Sequence, residues 1–341
     1  MLGMDIIEII LMLIKMILIF AVMMLLAAYL GWAERRLLGF IQDRLGPNRT
    51  GFQGLLQPMA DFVKLLTKED FCPDGADRFL FYFAPAIAAI PAIMTFCVVP
   101  FGGPVTIMGR TVNLQMADVN VGILVFMALS SITVYSVAIG GWASNSKYSL
   151  LGSIRGLAQL ISYELSMGLS LVPVVMLARS LKLSEIVNAQ ADVWFVAKQP
   201  LAFLIFLISI IAECKRTPFD LPEGESELVA GFHSEYSGMR FALFFLGEYI
   251  AMIIMSCIAV TCFLGGWTLP PIILKALPFL AVVPGIVWFL LKVYCHLFLY
   301  YWIRATVPRF RYDHLMSLGW KVLIPISLVN IVITSIVKYA F

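Results

Sequence analysis

The sequence predicts an all-α integral membrane protein: eight transmembrane helices plus an interfacial amphipathic helix, with both termini on the non-cytoplasmic side. Three observations predict it. The residues AVILMFWYC make up 61% of the 341-residue chain, mean hydropathy is +0.93, and only 13% of residues are charged, where a globular chain carries about a quarter. The apolar residues fall in long runs. Between Ile9 and Leu30 the only charge is Lys15, and about 20 such residues span a bilayer. Finally, eight apolar windows, near 6–31, 79–101, 119–141, 154–178, 200–215, 240–264, 277–302 and 320–338, leave seven loops. The odd-numbered loops hold 16 Lys and Arg against 5 in the even-numbered ones. By the positive-inside rule the odd loops face the cytoplasm or matrix.

Taken in order, the first run does not read as a cleavable leader. It is too long, Asp5 and Glu8 stand at its front, and Glu34-Arg35-Arg36 follows it in place of small residues. Arg36 suits a topology anchor, but an acid at position 34 does nothing for orientation. "GPNRTG" (46–51) reads as a turn. After it, Phe52, Leu55, Leu56, Met59, Phe62, Val63 and Leu66 fall at helical spacing on one face. A helix over 52–66 is too short to span, so it lies along the membrane, packs on the chain's own spans, or does both. The fifth span is the shortest, and the seventh contains Lys292 and His296. No transporter-type repeat or low-complexity linker divides the chain, which reads as one polytopic domain over 1–341.

Charge inside or beside spans is informative because an ionised residue at a helix centre costs roughly 2.5–3.5 kcal/mol unless it meets a cavity or partner. Glu164, Glu213, Glu248 and Lys292 all meet that description. The bland reading of each is a local structural pair or a side chain reaching to the interface. Together with the loop 212–239, predicted on the cytoplasmic or matrix side, they form a pattern. The segment "AECKRTPFDLPEGESELVAGFHSEY" (212–236) carries Glu213, Asp220, Glu223, Glu225, Glu227 and Glu235, six of the chain's 21 carboxylates. A helix starting near Pro222 would use Asp220 and Glu223 against its dipole but has no such need of Glu225, Glu227 and Glu235. On a helix Glu223 and Glu227 share a face, while in extended chain all of 223, 225 and 227 do. Carboxylates so close titrate as a coupled set with some proton affinities raised, which suits a proton relay; a cation funnel is the other functional reading.

Six scattered cysteines without a C-x-x-C pair argue against an iron–sulfur cluster or structural zinc, and the three histidines lack ligand spacing. No G-x-G-x-x-G, P-loop or H-E-x-x-H motif is present. Any redox chemistry would therefore draw its electrons from another chain.

The blocks "WAERRLLGFIQDRLGPNRTG", "GLLQPMADFVKLLTKED", "GWASNSKYSLLG", "AQLISYELSMGLS", "AECKRTPFDLPEGESELVAGFHSEYSGM" and "WIRATVPRFRYDHLMSLGWK" resemble, in order and over nearly the whole chain, the H-subunit family of bacterial NADH:quinone oxidoreductases. The mitochondrial counterpart of that family is the first membrane subunit of respiratory complex I. The resemblance implies a membrane subunit of a proton-translocating enzyme that forms much of the quinone access chamber. Quinone is the substrate, and FMN and iron–sulfur clusters are held by partner subunits. It implies hydrophilic-arm subunits at the quinone site, small membrane subunits leading to antiporter-like ones, membrane lipids and no nucleic acid as partners. It also implies a bacterial cytoplasmic (inner) membrane or a mitochondrial inner membrane. By motif, it puts Arg35, Arg44, Gln57, Asp61 and Phe245 near the quinone. A proton path would run through Glu34, Glu164, Glu213, Asp220, Glu223, Glu225, Glu227, Glu235, Glu248 and Lys292. Phe62 is bulky beside the passage, and Lys215 adds a cation among the acids. Other hosts for the same residues are a stand-alone proton or ion transporter, a membrane-bound hydrogenase and a ferredoxin-driven complex.

Overall fold

The computed structural model describes residues 6–103, 105–107, 110–112, 114–271 and 278–340; the side chains of 6–12, 105–107, 110–112, 225, 226 and 281 lie outside that description. The helices are α1 (Ile6–Ile41), α2 (Gln57–Thr67), α3 (Arg78–Thr95), α4 (Gly122–Ala143) and α5 (Lys147–Ala178). After these come short α6 (Leu183–Asn188) and α7 (Phe195–Lys198), then α8 (Pro200–Glu213), α9 (Glu225–Leu228) and α10 (Gly238–Phe263). The chain closes with α11 (Gly285–Thr306), α12 (Tyr312–Ser317) and α13 (Ile324–Ala340).

Among the described residues seven helices are long and apolar enough to cross a membrane: α1, α3, α4, α5, α10, α11, and α12–α13 joined through a π turn at Leu318–Leu323. The eighth expected span, 200–215, is α8, a shorter helix. Pro200 opens it and Lys215, at φ 52°, breaks the chain direction just after it. Its 14 residues rise about 21 Å against a hydrocarbon core of roughly 30 Å. Among the described residues the architecture departs from all-helical at an antiparallel hairpin pairing Val105 with Val112 and Ile107 with Arg110. α1 continues to Ile41 where the sequence placed an edge near 31, so Glu34, Arg35 and Arg36 sit on a helix.

The amphipathic helix begins later than the expected 52. Phe52–Gly54 is a 3₁₀ turn between Gly51 and Gly54, both at positive φ, and Pro58 in the first turn of α2 starts the helix proper. Met59, Phe62, Val63 and Leu66 are each at least half exposed. This chain leaves the apolar face uncovered, so burial against its own spans does not account for it.

Packing follows membrane logic. Ser153, Gly156, Ser162, Ser166 and Ser170 are small buried residues along α5, and Ser166 Oγ meets Ser209 Oγ of α8 at 2.8 Å. Small polar residues let helices approach closely where no water drives them together. α10 is the most enclosed span. Large apolar side chains such as Ile17, Leu25, Ile90, Val329 and Ile336 face outward, the reverse of a chain that folds in water.

Candidate functional site

The loop after α8 gathers most of the predicted site. Gln159 of α5 donates from Nε2 to the carbonyls of Ala212 (2.8 Å) and Phe219 (2.7 Å), fixing the start of the loop. Further along, the loop lies against α5 at Gly152, where a β-carbon would stand 2.8 Å from Gly231 Cα and 2.9 Å from the Pro222 carbonyl oxygen. Gly231 itself has φ 57°, a conformation glycine adopts without strain. The helix expected near Pro222 begins instead at Glu225 and lasts one turn, because residues 221–223 form a turn and Gly224 is left-handed. The loop is therefore neither a continuous helix nor extended. Glu223 is half-buried, Glu227 is exposed, and the Glu225 side chain lies outside the described residues.

Three buried groups of charge follow. At the first, Glu34 accepts from Arg216 Nη1 at 3.2 Å and from the Tyr249 hydroxyl at 3.0 Å, and Arg304 pairs with the same carboxylate. Arg216 is 8% exposed, lies over the Tyr249 ring at 4.7 Å, and its Nε and Nη2 have no partner among the described residues. At the second, Lys215 Nζ stands 3.7 Å from Glu248 Oε1. Glu213, Lys215, Glu248, Thr133 and Ser136 line a cavity of about 30 Å³, and Glu213 Oε2 is buried without a partner among the described residues. That volume is enough for about one water, which needs some 10–15 Å³. Glu164 of α5 is tied to Ser131 of α4. At the third, Arg309 donates to Asp220 Oδ2 at 2.9 Å, while Asp220 Oδ1 is unpartnered among the described residues.

Burial raises the proton affinity of two loop acids, Asp220 and Glu223. Glu223 is pushed well above the ordinary carboxylate range by burial, then by the charges of Glu248 and Asp220. Asp220 is also raised, burial outweighing Arg309. Burial lowers His233 to about 4, so its ring is neutral at neutral pH. Its ring packs on Phe232, Phe241 and Phe245 at 4.7, 5.3 and 5.9 Å. Glu227 pairs at the surface with Arg155 (2.7 Å), and Glu235 is half-buried beyond the Gly231–His233 turn.

Of the residues assigned to the quinone side, Arg35 of α1 and Gln57 and Asp61 of α2 form a second constellation, while Arg44 lies in the turn after α1 and Phe245 lies on α10 against the His233 ring. Asp61 accepts from Arg35 Nη1 at 2.7 Å and from Gln57 Nε2 at 3.0 Å. Burial pushes its carboxyl up, but the Gln57 hydrogen bond and the Arg35 charge prevail and hold it low. Arg36 reaches the Gln53 carbonyl at 2.6 Å. Arg44 meets Gln42 Oε1 at 2.8 Å and lines a cleft of about 240 Å³ with Arg36, Phe40, Leu45 and Asn48. Phe62 is 51% exposed on the open face of α2. Beside α1, an apolar cleft of about 530 Å³ runs between α1, α10 and α11, lined by Tyr29, Trp32, Phe101, Ile253, Val287 and Tyr294 among others.

Lys292 stands apart from these groups. Its Nζ donates to the carbonyls of Leu264 (2.7 Å), Gly266 (2.9 Å) and Thr268 (2.7 Å) and lies 4.4 Å over Trp194. Leu264 is 16 residues beyond Glu248, about 24 Å along the α10 direction. Sequence reasoning assigned no role to Tyr249, Arg304, Arg309 or Gln159. Arg304 did carry a signal, as a cation in the last turn of an apolar span; the other three are recognisable only once the loop is folded. Among the described residues no group of three His, Cys, Asp or Glu side chains is placed to hold a metal ion.

The family model for NADH dehydrogenase matches residues 14–335. Among curated proteins, the second of the NADH-quinone oxidoreductase H subunits of Geobacter sulfurreducens is 67% identical over 320 residues, 94% of each chain. The first such H subunit of Geobacter metallireducens is 66% identical over the same length and coverage. The H subunit of the Syntrophotalea carbinolica NADH-quinone oxidoreductase is 52% identical over 331 residues, 97% of each chain.

Proposed function

This chain belongs to the H-subunit family of the NADH-quinone oxidoreductases, and from that premise we propose that it forms much of the quinone access chamber and couples quinone reduction to proton translocation through its buried carboxylates. It acts as a membrane subunit of the oxidoreductase and catalyses no hydride transfer itself. FMN and iron–sulfur clusters belong to partner subunits, which deliver the electrons. The observation that carries the reading is the Glu34 knot. One buried carboxylate of α1 is shared by Arg216 of the acidic loop, Tyr249 of α10 and Arg304 of α11. Its neighbour in sequence, Arg35, holds Asp61 of α2.

Through that knot the two constellations communicate electrostatically. Electrons arriving on a quinone add negative charge near Arg35 and Asp61. In a medium of low effective dielectric such a charge acts strongly over a few ångströms, first on Glu34 and its two arginines. Arg216 is continuous with Lys215 and Glu213, so a shift in its pairing changes the field at the Glu213–Glu248 cavity. The loop acids Asp220 and Glu223, with raised proton affinities, would hold protons to higher pH than ordinary carboxylates do. The 530 Å³ apolar cleft beside α1 suits an isoprenoid tail. The uncovered face of α2 suits the membrane surface. The acidic loop would face the cytoplasm of a bacterial cell, with hydrophilic-arm subunits over it and small membrane subunits leading on to antiporter-like ones.

The reading leaves Lys292 as a structural cation. Glu248→Gln in membrane vesicles tests it: proton pumping falls severalfold while the complex assembles and retains part of its quinone reductase activity. Undiminished pumping with undiminished reductase activity would overturn the coupling role.

A further inference from the structure

We propose that Lys215 is the fixed countercharge of the Glu213–Glu248 cavity, setting the pH at which that cavity takes up its proton. The proposal rests on the coupling role above and adds a residue to it.

Geometry carries the argument. Lys215 has a side chain 13% exposed, and its ammonium faces inward, 3.7 Å from Glu248 Oε1 and 5.0 Å from the centre of the Phe232 ring. Its backbone is left-handed at φ 52°, an uncommon conformation for a non-glycine residue, and it is the residue at which the chain leaves α8. A surface lysine needs neither feature. The cavity it lines is about 30 Å³ and also touches Glu213 and Glu248. Glu213 is 6% exposed and its Oε2 has no partner among the described residues, so one acceptor remains open in a space fit for about one water.

Counting formal charges, two carboxylates and one ammonium leave the cavity one negative charge in excess. A single proton neutralises it, and a water in the cavity gives that proton a route between Glu213 and Glu248. Without Lys215 the cavity would hold two carboxylates and no cation, with the charge of Glu164 acting on Glu213 and Glu223 beside Glu248, and uncompensated like charges raise the affinity for a proton.

The other charged and titratable groups that face this site belong to each element around it. They are Glu164 on α5, Glu223, Asp220 and Arg216 in the loop, His233 on the Gly231–His233 turn, and Cys214 after α8. His233 is neutral through the physiological range, and Arg216 is engaged with Glu34. Among the described residues, Lys215 is therefore the cation that touches the cavity itself.

The experiment uses the assembled enzyme in membrane vesicles, with proton pumping followed from pH 6 to pH 9 in the parent and in K215M, K215Q and K215R. Removing the cation raises the cavity's proton affinity, so the pH profile of pumping in K215M and K215Q moves upward by about one unit. K215R keeps the parent profile. Superimposed profiles for K215M and the parent overturn the proposal, as does an upward shift in K215R equal to that in K215M. Failure of both K215M and K215Q to assemble, with K215R assembling normally, makes the lysine a structural pair and also overturns it. The double variant E213Q/E248Q separates the two readings. If it pumps like the parent, the coupling path itself is wrong, whereas loss of pumping there with an unmoved K215M profile removes Lys215 alone.

Discussion

Lys292 and the cluster around Glu34, Glu213 and Glu248 are both buried charge among apolar helices, and they are built in opposite ways. Lys292 has a complete and neutral set of partners, three carbonyl oxygens within 2.9 Å and an indole ring beneath it. Among the described residues no carboxylate shares it. The cluster divides its charge among several acids and bases, and it leaves Glu213 Oε2, Asp220 Oδ1 and two Arg216 nitrogens without partners among the described residues. A cation whose donors are all satisfied holds the loop after α10 against α11 and has one stable arrangement. A group with unmet acceptors and donors has several arrangements of similar energy, which a proton or a nearby charge can shift. Buried charge therefore takes two forms in this chain, one fully paired with neutral groups and one shared among acids and bases with some atoms left unpaired.

The largest expected effect attacks the cluster. Arg216→Ala strips Glu34 of a buried partner, and breaking such a pair typically costs about 3–5 kcal/mol. Little assembled complex should accumulate, as read by native gel and reductase activity. Lys292→Met attacks the other region. Three carbonyls lose their donor, at roughly 1–3 kcal/mol for a buried group left unmet. The complex should lose heat stability, while protons pumped per NADH in the surviving complex stay near the parent value. A fall in that ratio would collapse the distinction between the two regions.

Glu223 sharpens the comparison through pH. Its folded-state proton affinity is raised, so the unfolded chain releases this proton first as pH rises. The contribution to stability is full below the unfolded carboxylate value and is lost as pH climbs through the folded one. Glu223→Gln should flatten the fall in heat stability as pH rises above the ordinary carboxylate range. An unaltered slope would mean that Glu223 does not titrate there. The smallest effect is expected from Glu227→Ala. Its pair with Arg155 has the carboxylate 52% exposed, and exposed pairs contribute about 0.2–1 kcal/mol, so pumping should change little.

Much of this was legible in the chain. Long apolar runs marked the spans, because in a membrane protein each crossing needs its own apolar run whatever it packs against. The charges that are costly in a span gave Glu164, Glu213, Glu248 and Lys292 as unusual residues. The sequence could not divide them, because the partners lie far away along the chain: Glu34 meets Arg216 and Arg304, and Gln159 clamps both Ala212 and Phe219. Loop shape was equally hidden. "DLPEGESE" suits a helix start or an extended run, and the glycine contacts with α5 select a series of turns that leave Glu223 half-buried and Glu227 exposed. Helix α8 shows the limit for spans, since composition marks its apolar run and the break at Lys215 sets its length.

The incompletely paired carboxylates are proposed to couple quinone reduction to proton movement. Protons pumped per NADH oxidised, measured for Glu213→Gln in sealed membrane vesicles, tests this coupling most directly. The expected result is an assembled complex whose ratio falls severalfold. A parent-like ratio at parent-like turnover would contradict it.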